Sequence, residues 1–261
     1  YDEALAYAKD RKQFGKAIIE FPAVYDMLAT IKAKLDAGRA LLYQTSRYVD
    51  IYKALDDIAR ERKLTPEERQ EQKRYAKLAD SFTPLAKGMN SEYANQNAYD
   101  CIQVHGGSGF MMEYACQRIY RDARITSIYE GTTQLQTVAA IRYVTNGSYA
   151  ATLHEYELIP CAPEFEGYMN RIKDMTRKLE ACTNAVKEAQ NQELLDLVSR
   201  RLYEMAAVCV MSHLLLQDAT KAPDMFGKSL NVYVNYAESE VEKHFNFIRK
   251  FQAEELESYR K

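Results

Sequence analysis

The stretch from Arg124 to Gln136, "RITSIYEGTTQLQ", places a glutamate, a glycine and two threonines directly before an apolar helical pattern. Thr132 or Thr133 can accept a hydrogen bond from a free N–H group of the first turn, so a helix is expected to begin here. Gly131 has no Cβ, and a flat ligand can therefore approach the backbone beside Glu130. A carboxylate on a short turn suits a general base, but an acidic residue near a helix N-terminus is also favoured by the helix dipole. Both interpretations of Glu130 stay open on these residues alone.

The composition of the whole chain favours helix and excludes several classes of protein. The 261 residues include only 10 glycines and 6 prolines, and the formal net charge is -2, so no strong field favours nucleic acid. No apolar run approaches the roughly 20 residues that a transmembrane helix needs. The five cysteines and four histidines are widely scattered. Their spacing predicts reduced thiols in a cytoplasmic protein and no metal site.

Proline and capping residues mark the expected helix starts. Pro22 precedes a long stripe of apolar residues at helical spacing, and Thr65 and Glu68 form a capping box with proline at the first helical position. Thr83–Pro84 repeats this start signal and predicts a new helix that runs to about Val104. A further helix is expected to follow the opening stretch and to end before the "NGS" of residues 146–148.

The C-terminal part of the chain has a different character. Residues 153–165 have no clear period and predict a linker, and three amphipathic helices are expected after it. No strand pattern is evident anywhere. The predicted fold class is all-α, with an antiparallel four-helix-bundle-like domain at 1–148 and a second helical bundle at 149–261. The three expected helices of this second bundle are 165–189, 193–220 and 225–257.

Two other motifs are candidates for ligand binding. In "DRKQFGK", residues 10–16, Arg11 could bind a pyrophosphate with two parallel hydrogen bonds, although a basic turn is usually solvated surface. In "QVHGGSGF", residues 103–110, the glycines could offer backbone N–H groups to a phosphate or ribose, or simply form a turn. This motif does not follow a strand, which excludes a Rossmann fingerprint.

The order of the motifs is more specific than any one of them. "AYAKDRKQFGKAIIEF" near the start, "QVHGGSGF" in the middle and "YRDARITSIYEGTTQLQ" after it resemble the C-terminal all-helical domain of the acyl-CoA dehydrogenase flavoproteins, over about residues 1–146. The tail after Tyr149 resembles, by helical character and position, the extra C-terminal domain of the longer family members. Because the chain opens at Tyr1 inside a helical pattern, it is expected to be part of a longer protein and to be inactive alone.

The resemblance implies α,β-dehydrogenation of an acyl-CoA thioester with FAD as the hydride acceptor. Glu130 would be the base that removes the α-proton, its backbone N–H would donate to the thioester carbonyl, and Gly131 would lie against the bound acyl-CoA. A homodimer or homotetramer and an electron-transferring flavoprotein as acceptor are implied as well. The residues that the resemblance places at FAD are Thr132, Thr133 and Gln134, and, for the FAD of a neighbouring subunit, Arg11, Phe14, Gln103, Gly106 and Gly107.

Two alternatives remain from the sequence. The first is an acyl-CoA oxidase with the same fold and base, in which molecular oxygen accepts the electrons. The second is a helical interaction module without catalytic activity. Pro22 departs from the glutamine that is common in the family at this position, so one polar contact to FAD is expected to be missing.

Overall fold

The computed structural model describes residues 1–260 and confirms an all-α fold. Within residues 1–260, helices account for all of the long elements, and the strands are limited to one short hairpin. Three short 3-10 segments, Ile18–Glu20, Pro163–Phe165 and Ala253–Tyr259, lie between or after the helices. The α-helices are α1 (Asp2–Asp10), α2 (Pro22–Glu61), α3 (Pro66–His105), α4 (Gly107–Phe110), α5 (Ala115–Thr126), α6 (Thr133–Thr145), α7 (Ser148–Glu157), α8 (Glu166–Glu188), α9 (Gln192–Lys221) and α10 (Pro223–Lys250).

Helices α2 and α3 form the long antiparallel pair on which the other elements pack. The pair is joined by a tight charged turn, and the predicted capping box is confirmed. The Glu68 N–H donates to Thr65 Oγ1 at 3.2 Å, and the Thr65 N–H donates to Glu68 Oε2 at 2.8 Å. Pro22 occupies the first position of α2, as its fixed φ favours.

The prediction that a new helix starts at Thr83–Pro84 is wrong, because α3 continues through Pro84. Proline removes one N–H from the helical ladder and crowds the preceding turn, which normally ends or kinks a helix. Here two buried tyrosines from the C-terminal part hydrogen-bond the backbone at this point. The Tyr149 hydroxyl donates to the Ser81 carbonyl at 2.6 Å, and the Tyr203 hydroxyl donates to the Pro84 carbonyl at 3.0 Å.

A minimal hairpin corrects the expectation that the chain has no strands. Lys12–Gln13 (β1) pairs in antiparallel fashion with Lys16–Ala17 (β2). The connecting residues Phe14 and Gly15 both have positive φ, at 49° and 83°, which is the backbone of a tight two-residue hairpin loop. Strands of two residues are too short to produce an alternating pattern in the sequence.

The expected linker at 153–165 is also partly wrong, since α7 covers its first five residues. Tyr149, Leu153 and Tyr156 are buried along one face of α7. Their spacing of four and three residues is helical, but it spans too few turns to stand out from the polar residues between them. In addition, α10 ends at Lys250, where an end near Glu257 was expected.

One large hydrophobic core contains residues from both predicted domains. Helices α8, α9 and α10 pack on one another, and α9 and α10 also pack against α2. Hydrogen bonds between buried tyrosine hydroxyls, Tyr48 with Tyr156 and Tyr93 with Tyr233, cross the same boundary at 2.8 and 2.9 Å. The division at residues 148 and 149 stays a prediction. A smaller cluster under α1 supports the hairpin; it contains Ala4, Ala8, Ile18, Leu28, Cys101, Val104 and Cys116.

Two further properties concern the chemistry of the described chain. All five cysteines are free thiols. Within residues 1–260, no helix has both the length and the apolar character that crossing a lipid bilayer demands.

Candidate functional site

The turn between α5 and α6 is closed by hydrogen bonds of the two threonines that follow it. Thr132 is the N-cap residue of α6 and its hydroxyl accepts from the Leu135 N–H at 3.3 Å, which confirms the predicted cap. The Thr133 N–H donates to the Ser127 carbonyl at 3.1 Å, so the first and last residues of the turn are joined. The backbone at residues 127–133 is thereby fixed from within.

Glu130 lies at the most strained point of this turn. Its φ is 50°, and the φ of Gly131 is 93°, so two consecutive residues are left-handed. Glycine adopts this backbone freely, but a glutamate there costs roughly 1 kcal/mol or more. The Glu130 carboxylate is exposed and forms no hydrogen bond or ion pair with any residue of 1–260. Because Glu130 precedes the N-cap by two residues, it lies outside the first turn of α6 and gains little from its dipole.

Lys87 on α3 holds the turn through a backbone carbonyl and an aromatic ring. Its Nζ donates to the Gly131 carbonyl at 2.6 Å and lies 5.6 Å from the centre of the Tyr129 ring. Gln136 Nε2 approaches the carbonyls of Glu130 and Gly131, each at 3.4 Å. A side chain in place of Gly131 would meet Gln136 Nε2 at 3.0 Å. The carbonyls of Glu130 and Gly131 therefore face protein donors, whereas the Glu130 carboxylate has no partner within residues 1–260.

Residues of the turn other than Glu130 and Gly131 line two clefts. The first, of about 500 Å³, is lined by Thr132, Thr133 and Gln134 together with residues of α3 and α5. The second, of about 660 Å³, runs between α2 and α3 and has Tyr129 at its border. The second cleft has an apolar portion. This portion consists of Leu35, Leu42, Ala86, Ala94 and Tyr129.

Thr133 differs from its two neighbours in the first cleft. Its side chain is only 2% exposed, and its hydroxyl donates to Glu92 Oε1 on α3 at 2.5 Å. Thr132 is half-buried and Gln134 is exposed, so these two residues present more surface to the cleft. Thr133 is therefore occupied in holding the turn.

Lys34 lies between the two clefts and contributes to the lining of both. Burial lowers the pKa of its ammonium group, although the Asp100 carboxylate opposes that shift. Burial raises the pKa of Asp100 in turn, with Lys34 opposing. Lys34 Nζ donates to Gln96 at 2.8 Å and lies 4.4 Å from the centre of the Tyr236 ring.

A third cleft, of about 590 Å³, brings together the other five predicted residues. Arg11, Phe14, Gln103, Gly106 and Gly107 all line it, although the sequence separates the first and last by almost a hundred positions. The Phe14 side chain is 94% exposed, and Gly106 has a φ of 60° at the end of α3. A Cβ at Gly106 or Gly107 would meet no atom within 4 Å, so the backbone is open to a ligand.

The predicted site residues thus form two groups within one chain. Glu92, beside the α5–α6 turn, and Gln103, in the third cleft, lie on the same helix α3. Eleven residues of α-helix separate them, a rise of about 16 Å. Glu130, Gly131, Thr132, Thr133 and Gln134 belong to the first group, and the hairpin and the end of α3 form the second.

The motifs did not reveal Lys87 and Glu92, which hold the turn. Both lie in the middle of α3, and neither belongs to a recognisable local pattern. Their partners are 41 to 44 positions away in the sequence, so only the fold brings them to the turn.

Comparison with known proteins extends the resemblance to the whole chain. A family model described as "Acyl-CoA dehydrogenase, C-terminal domain" matches residues 1–143, and one described as "Acyl-CoA dehydrogenase C terminal" matches residues 145–256. The chain is 37% identical over 135 residues to the caffeyl-CoA reductase-Etf complex subunit CarC of Acetobacterium woodii, covering 52% of this chain and 29% of that protein. It is also 37% identical over 145 residues to the 3-methylmercaptopropionyl-CoA dehydrogenase of Ruegeria pomeroyi, covering 52% of this chain and 23% of that protein.

A solved structure matches nearly the whole chain in fold. The crystal structure of an acyl-CoA dehydrogenase complexed with FAD from Bacillus anthracis covers 98% of this chain, with a TM-score of 0.72 and 20% sequence identity. This chain covers 46% of that protein, and less than a third of each of the two relatives above. The first family model spans residues 1–143, more than half of the sequence, and the chain therefore belongs to the acyl-CoA dehydrogenase family.

Proposed function

We propose that this chain carries the α-proton base of an FAD-dependent acyl-CoA dehydrogenase, and that the base is Glu130. The observation that carries the proposal is an unpartnered carboxylate on a left-handed backbone, in a turn that borders two clefts. A non-glycine residue in this conformation is kept only where the surrounding structure holds it, and such residues cluster at functional sites.

The turn offers what removal of a thioester α-proton requires. The proton is weakly acidic, so a carboxylate must come within about 3 Å of it and a donor must stabilise the carbonyl oxygen as negative charge develops there. The Glu130 N–H makes no hydrogen bond within residues 1–260 and is free to donate to that oxygen. The apolar portion of the second cleft, which includes Tyr129, suits the acyl chain.

The residues of the third cleft fit FAD in their chemistry. The Arg11 guanidinium is exposed and forms no ion pair with residues 1–260, so it is free for a pyrophosphate. The exposed Phe14 ring can stack on a planar ring system, and the open glycines allow backbone N–H groups to approach an anionic ligand. When bound, FAD supplies the acceptor for the β-hydrogen, which leaves as hydride.

The separation of the two groups supports an assembly of subunits. We infer that the third cleft of one subunit completes an FAD site whose other side includes Thr132 and Gln134 of a second subunit. A homodimer or homotetramer would provide this arrangement. The same separation supports the expectation that residues 1–261 alone do not turn over acyl-CoA.

We further propose that an electron-transferring flavoprotein accepts the electrons and that the substrate is an acyl-CoA. The name of the Acetobacterium relative includes an Etf complex, which supports this choice of partner. Reduction of electron-transferring flavoprotein by the intact protein, without stoichiometric hydrogen peroxide, is expected. Production of peroxide in its place would assign the protein to the acyl-CoA oxidases.

Replacement of the base tests the central assignment. In the intact protein, Glu130→Gln keeps the size and backbone of the residue but removes the proton acceptor. We expect kcat for acyl-CoA dehydrogenation to fall about 10²- to 10⁴-fold, with the Kd of the acyl-CoA changed by only a few-fold. The control is Glu113→Gln, an exposed glutamate in the segment before α5, which should keep full activity. Near-normal turnover by Glu130→Gln would overturn the assignment.

A further inference from the structure

A chain of alternating charges connects the Glu130 turn to the C-terminal helices. It begins at Thr133, whose hydroxyl donates to Glu92 Oε1 at 2.5 Å. The same Glu92 oxygen lies 3.7 Å from the nearest guanidinium nitrogen of Arg200 on α9. Glu92 is therefore shared between the turn and a helix that follows it by more than a hundred residues.

The chain continues from Arg200 into the second bundle. The Arg200 Nε donates to Glu204 Oε1 at 2.6 Å, one turn further along α9. The other oxygen, Glu204 Oε2, lies 2.8 Å from His244 Nε2 on α10. Helices α3, α9 and α10 each contribute a charged or titratable side chain to this series of contacts.

These groups are shielded enough for their charges to matter. The side chains of Glu92, Arg200 and Glu204 are 27%, 30% and 23% exposed, and that of His244 is 7% exposed. Burial raises the pKa of Glu204, but the nearby His244 ring and the charge of Arg200 outweigh it and hold that pKa below its ordinary value. Glu204 is thus a carboxylate at neutral pH and fixes the direction of the Arg200 guanidinium. Partly buried charged groups are coupled more strongly than fully exposed ion pairs.

We propose that Glu92 is a positioning residue for the Glu130 turn, and that Arg200, Glu204 and His244 transmit the packing of the C-terminal helices to it. The inference rests on the proposed role of Glu130 as the base. Thr133 donates its N–H to the Ser127 carbonyl and its hydroxyl to Glu92, so its position sets where the turn closes. The C-terminal helices, which lie outside the three motifs, thereby acquire a role in aligning the base.

The effect of breaking this chain should be specific to the transition state. A base that is displaced by a fraction of an ångström still allows the acyl-CoA to bind, but it no longer meets the α-proton in line. We expect Arg200→Gln and Glu92→Ala in the intact protein to lower kcat by roughly tenfold to a hundredfold while KM changes by less than about threefold. Glu92→Gln keeps a hydrogen-bond acceptor for Thr133 and should restore part of the lost kcat.

Hydrogen exchange of the turn provides a readout that does not depend on activity. Amides of residues 127–133 should exchange at least about tenfold faster in Arg200→Gln and Glu92→Ala than in the unaltered protein. The matched control is Arg171→Gln. Arg171 is also 30% exposed and pairs with Glu238 between α8 and α10, without a link to the turn. This variant should leave both kcat and the exchange of residues 127–133 unchanged.

Each outcome decides the inference. Unchanged exchange of the turn in Arg200→Gln and Glu92→Ala would show that Glu92 and Arg200 do not hold the turn. Faster exchange with an unchanged kcat would mean that these contacts are structural and do not position the base. A uniform loss of protection across all helices would mean that Arg200 serves general stability, which would also reject a positioning role. If Glu130→Gln remained active, the proposed base would be wrong. The exchange data would still decide whether Glu92 and Arg200 hold the turn.

Discussion

Glu130 and Gln190 share an unusual backbone but differ in their surroundings. With Phe14, they are the non-glycine residues of 1–260 that have a positive φ, at 50° for Glu130 and 47° for Gln190. Gln190 lies in the turn after α8, where a glycine would be the ordinary choice. Glu130 lies where no helix end requires a left-handed residue. The strain at Gln190 therefore has a common structural context, whereas that at Glu130 would be explained by the proposed role of its carboxylate.

Glycine substitutions separate stability from function at these two residues. We expect Glu130→Gly to have a free energy of unfolding about 1 kcal/mol higher than that of Glu130→Gln, because glycine relieves the left-handed strain that glutamine retains. Both variants should be inactive. Gln190→Gly should gain a similar amount and keep full activity. Chemical denaturation measures the stabilities, and a Glu130→Gly protein less stable than Glu130→Gln would show that the turn is unstrained.

At the scale of elements, helix α3 accepts hydrogen bonds from the C-terminal part of the chain. The buried hydroxyl of Tyr149 donates to the carbonyl of Ser81, three residues before the proline, and that of Tyr203 donates to the carbonyl of Pro84 itself. The absence of a side chain at Gly88 matters as well, since a Cβ there would lie 2.1 Å from the Tyr203 hydroxyl oxygen. The glycine lets Tyr203 approach the α3 backbone closely enough to make its hydrogen bond.

Removal of either hydroxyl should destabilise the protein by about 0.5 to 1.5 kcal/mol, because one buried hydrogen bond to the α3 backbone is lost. The variants are Tyr149→Phe and Tyr203→Phe, measured by urea denaturation. The matched control is Tyr43→Phe, whose side chain is 67% exposed and makes no hydrogen bond within residues 1–260, and it should change the stability by less than about 0.5 kcal/mol. Equal stability of all three variants would contradict the role assigned to the buried tyrosines.

The sequence separation between contacting residues explains which elements could be predicted from the sequence. The cap at Thr65 and Glu68 and the cap at Thr132 involve residues three apart, so their pattern is visible locally. Helix α3 continues through Pro84, and the tyrosines that hydrogen-bond its backbone there lie 65 or more positions away, so no local pattern contains those contacts. The two-residue strands and the short helix α7 were missed for a different reason, since both are too short for a period to emerge.

At the scale of the whole molecule, the candidate site also has a part that a local sequence pattern reveals and a part that only the fold brings together. Glu130, Gly131 and the cap at Thr132 belong to one contiguous motif, and the sequence identified them as a group. Glu92, Arg200, Glu204 and His244 come together only because α3, α9 and α10 pack in one core. Long-range charge contacts of this kind carry no spacing rule, and they were therefore absent from the prediction.

The shared core predicts that the two parts of residues 1–260 unfold together. Leu202 on α9 is fully buried in the cluster that also includes Leu41 of α2 and Phe82 of α3. We expect Leu202→Ala to lower the free energy of unfolding by about 2 to 5 kcal/mol, because it leaves a cavity in that core. If the core is one cooperative unit, the most protected amides of α2 and α3 should lose as much protection against hydrogen exchange as those of α9. The control is Leu158→Ala, at a side chain that is 83% exposed, which should leave protection unchanged. Loss of protection confined to α8, α9 and α10 would instead establish two independent domains, with a boundary near residue 148.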